Sequence, residues 1–388
     1  MEEYFASTPS KLKTNDYSSI TLVLGNESCD LDSAVSAIVY AVFLHWQHNT
    51  FKGKVCTASK RTDDCKEDIF VPILDVNRED FPLKTEVVFA LAGHEIYDKD
   101  LVFSNDIDMT KLMSEGKAKV TLVDHHTLAS KYNHLAPYVT EIIDHRPLDR
   151  TYWTYNEDVR STIELVGSCC TLVAQRIRDL SALVGLNGEF FTLYPDMTDL
   201  LYSCIVLDTV NFSKEVNKAT QHDVEIVNFL EDLLNIDQRE EQRKAKVDRL
   251  LEARRNVSQL TAAQLLRKDL KIFEDILVPS FPVLVKEFLS KPDSLEAVTE
   301  ALSSRKCSLG LLLGMDLRGG HQRDCAVISP DDKLAKAFAI FLQEWSSPSF
   351  ELVSELGVNH YYFKQMNLSA FRKQYVPAIT EFLYYYKE

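Results

Sequence analysis

Apolar residues in the first half of the chain fall into short runs separated by polar loops. Ile20–Gly25 (Ile-Thr-Leu-Val-Leu-Gly) predicts a buried strand, and Ser33–Trp46 follows with apolar residues at helical spacing. Runs at Ile69–Leu74, Val87–Leu91, Lys119–Val123, Val139–Ile143 and Cys204–Leu207 predict further strands, and Leu165–Ile177 and Thr220–Leu234 predict helices. Strands alternating with helices predict an α/β domain with a mostly parallel sheet flanked by helices. From Asp237 to Arg255 the chain is charged on nearly every face, which predicts a solvated helix joining two bodies. Beyond it, Leu260–Phe273, Asp332–Trp345 and Phe371–Tyr386 predict helices. Ile276–Val285, Ser308–Met315, Cys325–Ser329 and His360–Lys364 predict strands. The division is therefore a first domain over 1–236, a charged helical linker over 237–258 and a smaller C-terminal α/β domain over 259–388.

Charge narrows the choice of function. The 388 residues carry 43 Lys and Arg against 58 Asp and Glu, a formal net charge of −15. A surplus of that sign argues against a general nucleic-acid binder, which needs a basic footprint. It also sits badly with an enzyme for polyanions, unless metal ions or a local basic patch invert it. The opening Met1-Glu2-Glu3-Tyr4 is acidic where a secretory signal is basic. Ala34–Leu44, the longest mostly apolar run, falls far short of the ~20 residues that span a bilayer. Eight scattered cysteines (Cys29, Cys56, Cys65, Cys169, Cys170, Cys204, Cys307 and Cys325) show no Cys-x-x-Cys spacing. They predict reduced, buried thiols in a cytoplasmic protein with neither a membrane nor a nucleic-acid partner.

Candidate chemistry lies where the strands stop. Leu22-Val23-Leu24-Gly25 leads to Asn26 and then Asp30-Leu31-Asp32; Val120–Val123 stops at Asp124-His125-His126; Glu141–Ile143 stops at Asp144-His145-Arg146; Ile205–Leu207 stops at Asp208. Strand C-termini of a parallel sheet share one edge, where α/β sites form, so these residues are expected in one cluster. Asp30, Asp32, Asp124 and Asp208 would repel one another there. Two divalent cations would neutralise the four, and oxygen ligands with an imidazole or two suit Mg²⁺ or Mn²⁺. A single Asp after a strand is as readily a helix N-cap, but four such carboxylates, two beside histidines, seldom arise from caps alone. Gly167–Thr171 opens a helix, either as an anion site or as a plain N-terminal turn. No P-loop, Gly-x-Ser-x-Gly elbow or His-Glu-x-x-His is present.

Taken in order, five stretches resemble the motifs of DHH-type phosphoesterases. They are Gly25–Ser33, Leu122–His126, Ile142–Pro147, Glu164–Cys169 and Leu207–Phe212. Within that superfamily the chain looks most like the prune proteins and related exopolyphosphatases, and more distantly like the family-II inorganic pyrophosphatases. The resemblance implies a DHH domain followed by a DHH-associated domain. It further implies Asp30, Asp32, Asp124, His145 and Asp208 as metal ligands, and His126 beside Asp124 for phosphate contact or proton donation. Asn26 stands where the pyrophosphatases have a ligand His, so it would contact metal or water and hold one cation more loosely. Arg146 replaces the second His of Asp-His-His; it binds phosphate bidentately but does not titrate near neutrality. In the C-terminal domain the resemblance points to Arg267, Lys268, Lys271, Arg372 and Lys373 as substrate-binding groups across the interdomain cleft. Arg318, His321 and Arg323 form a further basic loop.

The resulting expectation is a cytoplasmic hydrolase, a metal-dependent exopolyphosphatase. Two divalent cations, Mg²⁺ or Mn²⁺, would support metal-hydroxide attack on short-chain inorganic polyphosphate such as tri- or tetraphosphate. A cyclic-nucleotide (cAMP) phosphodiesterase at the same site, or a regulatory protein with a residual site, are the alternatives. Protein partners are not legible in the sequence.

Overall fold

A computed structural model of the chain describes residues 2–55, 66–355 and 361–386; Cys56, Cys65 and His360 lie outside them. The chain divides into two compact units, Met1–Arg254 and Arg255–Glu388.

The first unit carries β1 (Ile20–Leu24), β2 (Ile69–Leu74), β3 (Val102–Phe103), β4 (Ala118–Val123), β5 (Val139–Asp144) and β6 (Arg160–Ile163). They form one sheet in the order β3-β2-β1-β4-β5-β6. Every pairing in it is parallel. Such a sheet is covered on both faces, which is why its central strands are apolar almost throughout. Along β1, Val23 packs in one core with the helices Leu31–Val55, Cys169–Leu183 and Pro195–Asp208, while Leu22 and Leu24 pack in the other. Strand order reverses between β1 and β4, and in doubly wound sheets ligands bind at the carboxyl edge of that switch point. The turn after β1 carries Asn26–Asp30, with Asp32 in the first turn of the helix that follows, and the turn after β4 carries Asp124–His126.

Three elements differ from expectation. Cys204–Leu207 is the last turn of the helix Pro195–Asp208, and Val87–Leu91 lies in the helix Thr85–Ala92. Short apolar runs fit a buried helix as well as a buried strand, and a helix buried all round loses the polar stripe that would reveal it. Leu260–Phe273 breaks at Asp269 into the helix Ala262–Lys268 and a strand. Strands β3 and β6 left no apolar run because one has two residues and the other is largely exposed.

The second unit carries β7 (Leu270–Phe273), β8 (Ile276–Phe281), β9 (Leu309–Asp316), β10 (Gln322–Ile328), β11 (Leu352–Ser354) and β12 (Tyr361–Gln365). Their order is β11-β12-β10-β9-β8-β7, antiparallel except for β8 with β9. The helices Asp332–Glu344 and Arg372–Tyr386 cover one face through Phe338, Leu342, Tyr375 and Phe382. The described cysteines are free and buried. Among the described residues no helix is long and apolar enough to cross a membrane.

Candidate metal centre

Asp32 lies in the first turn of the helix that follows β1 and is buried. Its carboxylate accepts from the Ser168 hydroxyl at 2.8 Å and from the backbone N–H groups of Cys169 and Cys170 at 2.7 and 2.9 Å. Ser168 is the N-cap of the helix Cys169–Leu183, so the anion held at that terminus is the protein's own carboxylate. Burial pushes the Asp32 pKa up, but His145 and these donors outweigh it and hold it low.

Asp124 follows β4 with φ of +61°, a left-handed conformation that turns its side chain back toward β1. Its Oδ2 accepts from the Asn26 amide, while its buried Oδ1 makes no well-directed hydrogen bond and faces only the His145 and Arg146 side chains among the described residues. Burial first, then Asp32, push the Asp124 pKa up to about 7. His145 follows β5; its Nδ1 bonds the Val166 carbonyl at 3.0 Å, which points Nε2 at Asp124 Oδ1 (3.2 Å) and Asp32 Oδ2 (3.7 Å). Burial alone would lower this imidazole's pKa; Asp124 and Asp32 raise it to about 9.

Asp208 reaches the group from the C-terminus of its helix, where the dipole disfavours a negative charge. Burial and Asp32 raise its pKa well above the carboxylate range, and Lys218 Nζ, 3.9 Å away, offsets little of that. Asp30 accepts the Ser33 N–H at 3.1 Å and so also caps its helix. Arg146, with a side chain 49% exposed, brings Nη2 to 3.7 Å from Asp124 Oδ1.

Ligand atoms of Asp32, Asp124 and His145 lie within 4.8 Å of one another. Buried carboxylate oxygens facing an imidazole whose far nitrogen is fixed by a backbone carbonyl are features of a metal site. Burial and mutual repulsion push Asp124 and Asp208 toward their protonated forms, a tendency that a bound divalent cation would reverse. The donor set of Asp32, Asp124, Asp208 and His145 suits a hard divalent ion such as Mg²⁺ or Mn²⁺.

Two expected groups are engaged elsewhere. His126 Nδ1 pairs with Asp144, and its Nε2 accepts the Asp149 N–H at 3.1 Å, so neither nitrogen is left to give a phosphate a proton. Asn26 Oδ1 accepts from the Ser28 N–H at 2.8 Å and from the Ser28 hydroxyl. The stretch Glu164–Cys169 is legible as a motif, but the parts played by Ser168 and Val166 are not, because a hydroxyl or carbonyl that orients a ligand leaves no pattern in the sequence. A second overlooked feature is the left-handed run Val210, Asn211 and Phe212 just after Asp208. Arg243 holds that turn, donating to Asn211 Oδ1 at 2.9 Å and lying 5.3 Å from the Phe212 ring centroid.

In the second unit, Lys268, Lys271, Arg372 and Lys373 line a cavity of about 590 Å³. Arg267 is not among its lining residues. Arg372 is bound to Asp269 at 2.8 Å, and Arg318 to Asp316 at 2.8 Å and to Glu287. His321 is exposed on its loop.

A doubly wound sheet with an Asp/His cluster at its switch point, followed by a second α/β unit, agrees with the DHH-type phosphoesterase architecture that the motifs resemble. The DHHA2 domain family matches residues 248–382. The chain is 31% identical to "Exopolyphosphatase PRUNE1" of Rattus norvegicus over 391 residues, covering 99% of this chain and 79% of that one. It is 30% identical to the Homo sapiens protein of the same name over 393 residues, with the same coverage. To the "Manganese-dependent inorganic pyrophosphatase" of Methanocaldococcus jannaschii it is 28% identical over 254 residues, 65% of this chain and 66% of that one. The chain belongs to the prune exopolyphosphatase family.

Proposed function

We propose that this protein hydrolyses the terminal phosphoanhydride bond of short inorganic polyphosphates, such as tri- and tetraphosphate, with two Mg²⁺ or Mn²⁺ ions. The observation that carries this reading is the convergence of ligand atoms from Asp32, Asp124 and His145, all within 4.8 Å of one another, at the switch point. Asp30, Asp32, Asp124, His145 and Asp208 would hold the cations. Bound there, the ions would lower the pKa of water and neutralise phosphoryl oxygens. Asp32 stays anionic because a helix N-terminus holds it, and His145 keeps its tautomer through Val166. Arg146 offers the terminal phosphoryl group a planar guanidinium fork suited to bidentate contact. His126 acts as a positioning group, tying the turn after β4 to Asp144 and the Asp149 loop. Lys268, Lys271 and Lys373 bind the rest of the anionic chain, with Arg372 and Arg267 supporting the same surface.

Phosphate release from tripolyphosphate in Mn²⁺ or Mg²⁺, beside cAMP at matched concentration, tests the reading. Release is expected from tripolyphosphate in the wild type and in neither Asp124→Ala nor Asp208→Ala. Unchanged activity in both variants, or faster turnover of cAMP, overturns it.

A further inference from the structure

Arginines of the second unit divide by what they touch. Arg372 and Arg318 are each bound to a carboxylate. Arg323 is half-buried, lines the cavity, and among the described residues touches no carboxylate at all. Its Nε donates to the Leu368 carbonyl at 3.0 Å, its Nη2 approaches the Met315 sulfur at 3.2 Å, and its guanidinium carbon lies 4.5 Å from the Phe371 ring centroid. No partner of Nη1 is found among the described residues. Asp324, next in sequence, points to the other face of β10 and accepts from the N–H groups of Val285 and Lys286 and from the Tyr362 hydroxyl. Burial lowers the Arg323 pKa, and only Tyr375 acts against that.

A guanidinium removed from water without a counter-charge costs stability unless something supplies the anion. Three neutral contacts orient this one, and the cavity beside it is strongly positive. Five cationic side chains line it against one carboxylate, Asp269, which Arg372 already occupies. The apolar lining from Phe281, Leu313, Met315 and Phe371 strengthens attraction to an anion by excluding water.

We propose that Arg323 is a substrate-binding residue whose free guanidinium edge takes an oxyanion of the polyphosphate chain, with Phe371 holding it in place. This rests on the proposed activity and adds a residue outside both basic stretches that the family resemblance points to. The arrangement favours Arg over Lys, since the ring contact and the carbonyl bond need a planar fork.

Two measurements on the full chain separate this inference from the function it rests on. The first is calorimetric titration of tripolyphosphate without added divalent metal; the second is steady-state hydrolysis of tripolyphosphate with Mn²⁺. Arg323→Gln is expected to weaken binding and to raise KM about tenfold with kcat within about twofold, as suits a lost charge-assisted contact. Arg323→Lys, which keeps the charge and preserves the fold if Gln does not, is expected to fall between Gln and wild type. Equal affinity and KM in wild type and both variants overturn the assignment. Binding that depends on Arg323 in a wild type that releases no phosphate would support the anion site and overturn the proposed activity alone.

Discussion

The Asp32 carboxylate receives the backbone N–H of Cys169, 137 residues further along the chain, at 2.7 Å. This bond joins the helix after β1 to the N-terminus of the helix Cys169–Leu183 and lets one acid of the cluster stay charged beside Asp124 and Asp208. Ser168 completes the arrangement as both N-cap and donor. Ser168→Ala should lower unfolding free energy by about 1 kcal/mol and weaken Mn²⁺ binding several-fold. Urea unfolding and metal titration by calorimetry read the two effects separately.

Asp124→Asn removes one charge from a cluster that cannot hold all of its charges. The metal-free variant should therefore melt no lower than metal-free wild type. Mn²⁺ should raise the melting temperature of wild type and leave that of Asp124→Asn nearly unmoved, because a ligand stabilises only the state that binds it. A scanning melt with and without Mn²⁺ checks both parts.

Arg243 pairs with the fully buried Glu231 at 2.8 Å and holds the left-handed turn at Val210–Phe212. Among the described residues, Arg243→Met leaves that carboxylate with the more distant Arg239, at 3.5 Å, as its remaining cation. A loss of about 3 kcal/mol is expected from the uncompensated buried charge. Amide exchange should rise at 210–213, since a β-branched residue at positive φ persists only while its surroundings hold it.

His94 bridges Asp196 and Asp199, each at 3.0 Å, and Lys246 binds Asp199 at 2.7 Å. Burial lowers the His94 pKa, but the two carboxylates outweigh it and the net shift is upward from 6.5. A pKa raised on folding stabilises fully below 6.5 and loses that contribution as pH rises through the folded value. His94→Gln should thus cost most below pH 6.5 and progressively less as pH rises past that value, measured by denaturant unfolding across neutrality. Asp199 works in the opposite direction. Despite burial it is held down at about 2 by His94 and Lys246, so its contribution is present above 3.8 and lost as pH falls through about 2.

Arg372 and Lys373 are adjacent but differently placed. Arg372, 15% exposed, binds the Asp269 carboxylate and the carbonyls of Asp269 and Val278. Arg372→Ala should destabilise the second unit by about 1–3 kcal/mol through lost charge-assisted bonds. Lys373→Ala, an exposed side chain, should raise KM for tripolyphosphate and leave stability within about 0.5 kcal/mol. Denaturant unfolding and tripolyphosphate kinetics on both variants separate the roles.

Several strands and the identity of the clustered acids were legible in the sequence, because a strand buried on both faces must be apolar and a carboxylate at its end breaks that run. Leu22–Leu24 leading to Asp30 and Asp32, and Val120–Val123 leading to Asp124, belong to this class. Asp208 was found for a reason that proved wrong: the run before it is a buried helix, and periodicity does not separate the two when every face is apolar.

By itself, then, the sequence determined the α/β class, the acidic and imidazole groups at the candidate centre, and the family. These depend on the kind and order of residues. Only the tertiary structure decided that Asp32 rests on a helix N-terminus, that both nitrogens of His126 are occupied, and that Arg323 lacks a carboxylate while Arg372 has one. Each of those is a relation between side chains and backbone groups brought together by folding, and hydrogen-bond geometry over a few ångströms has no counterpart in spacing along the chain.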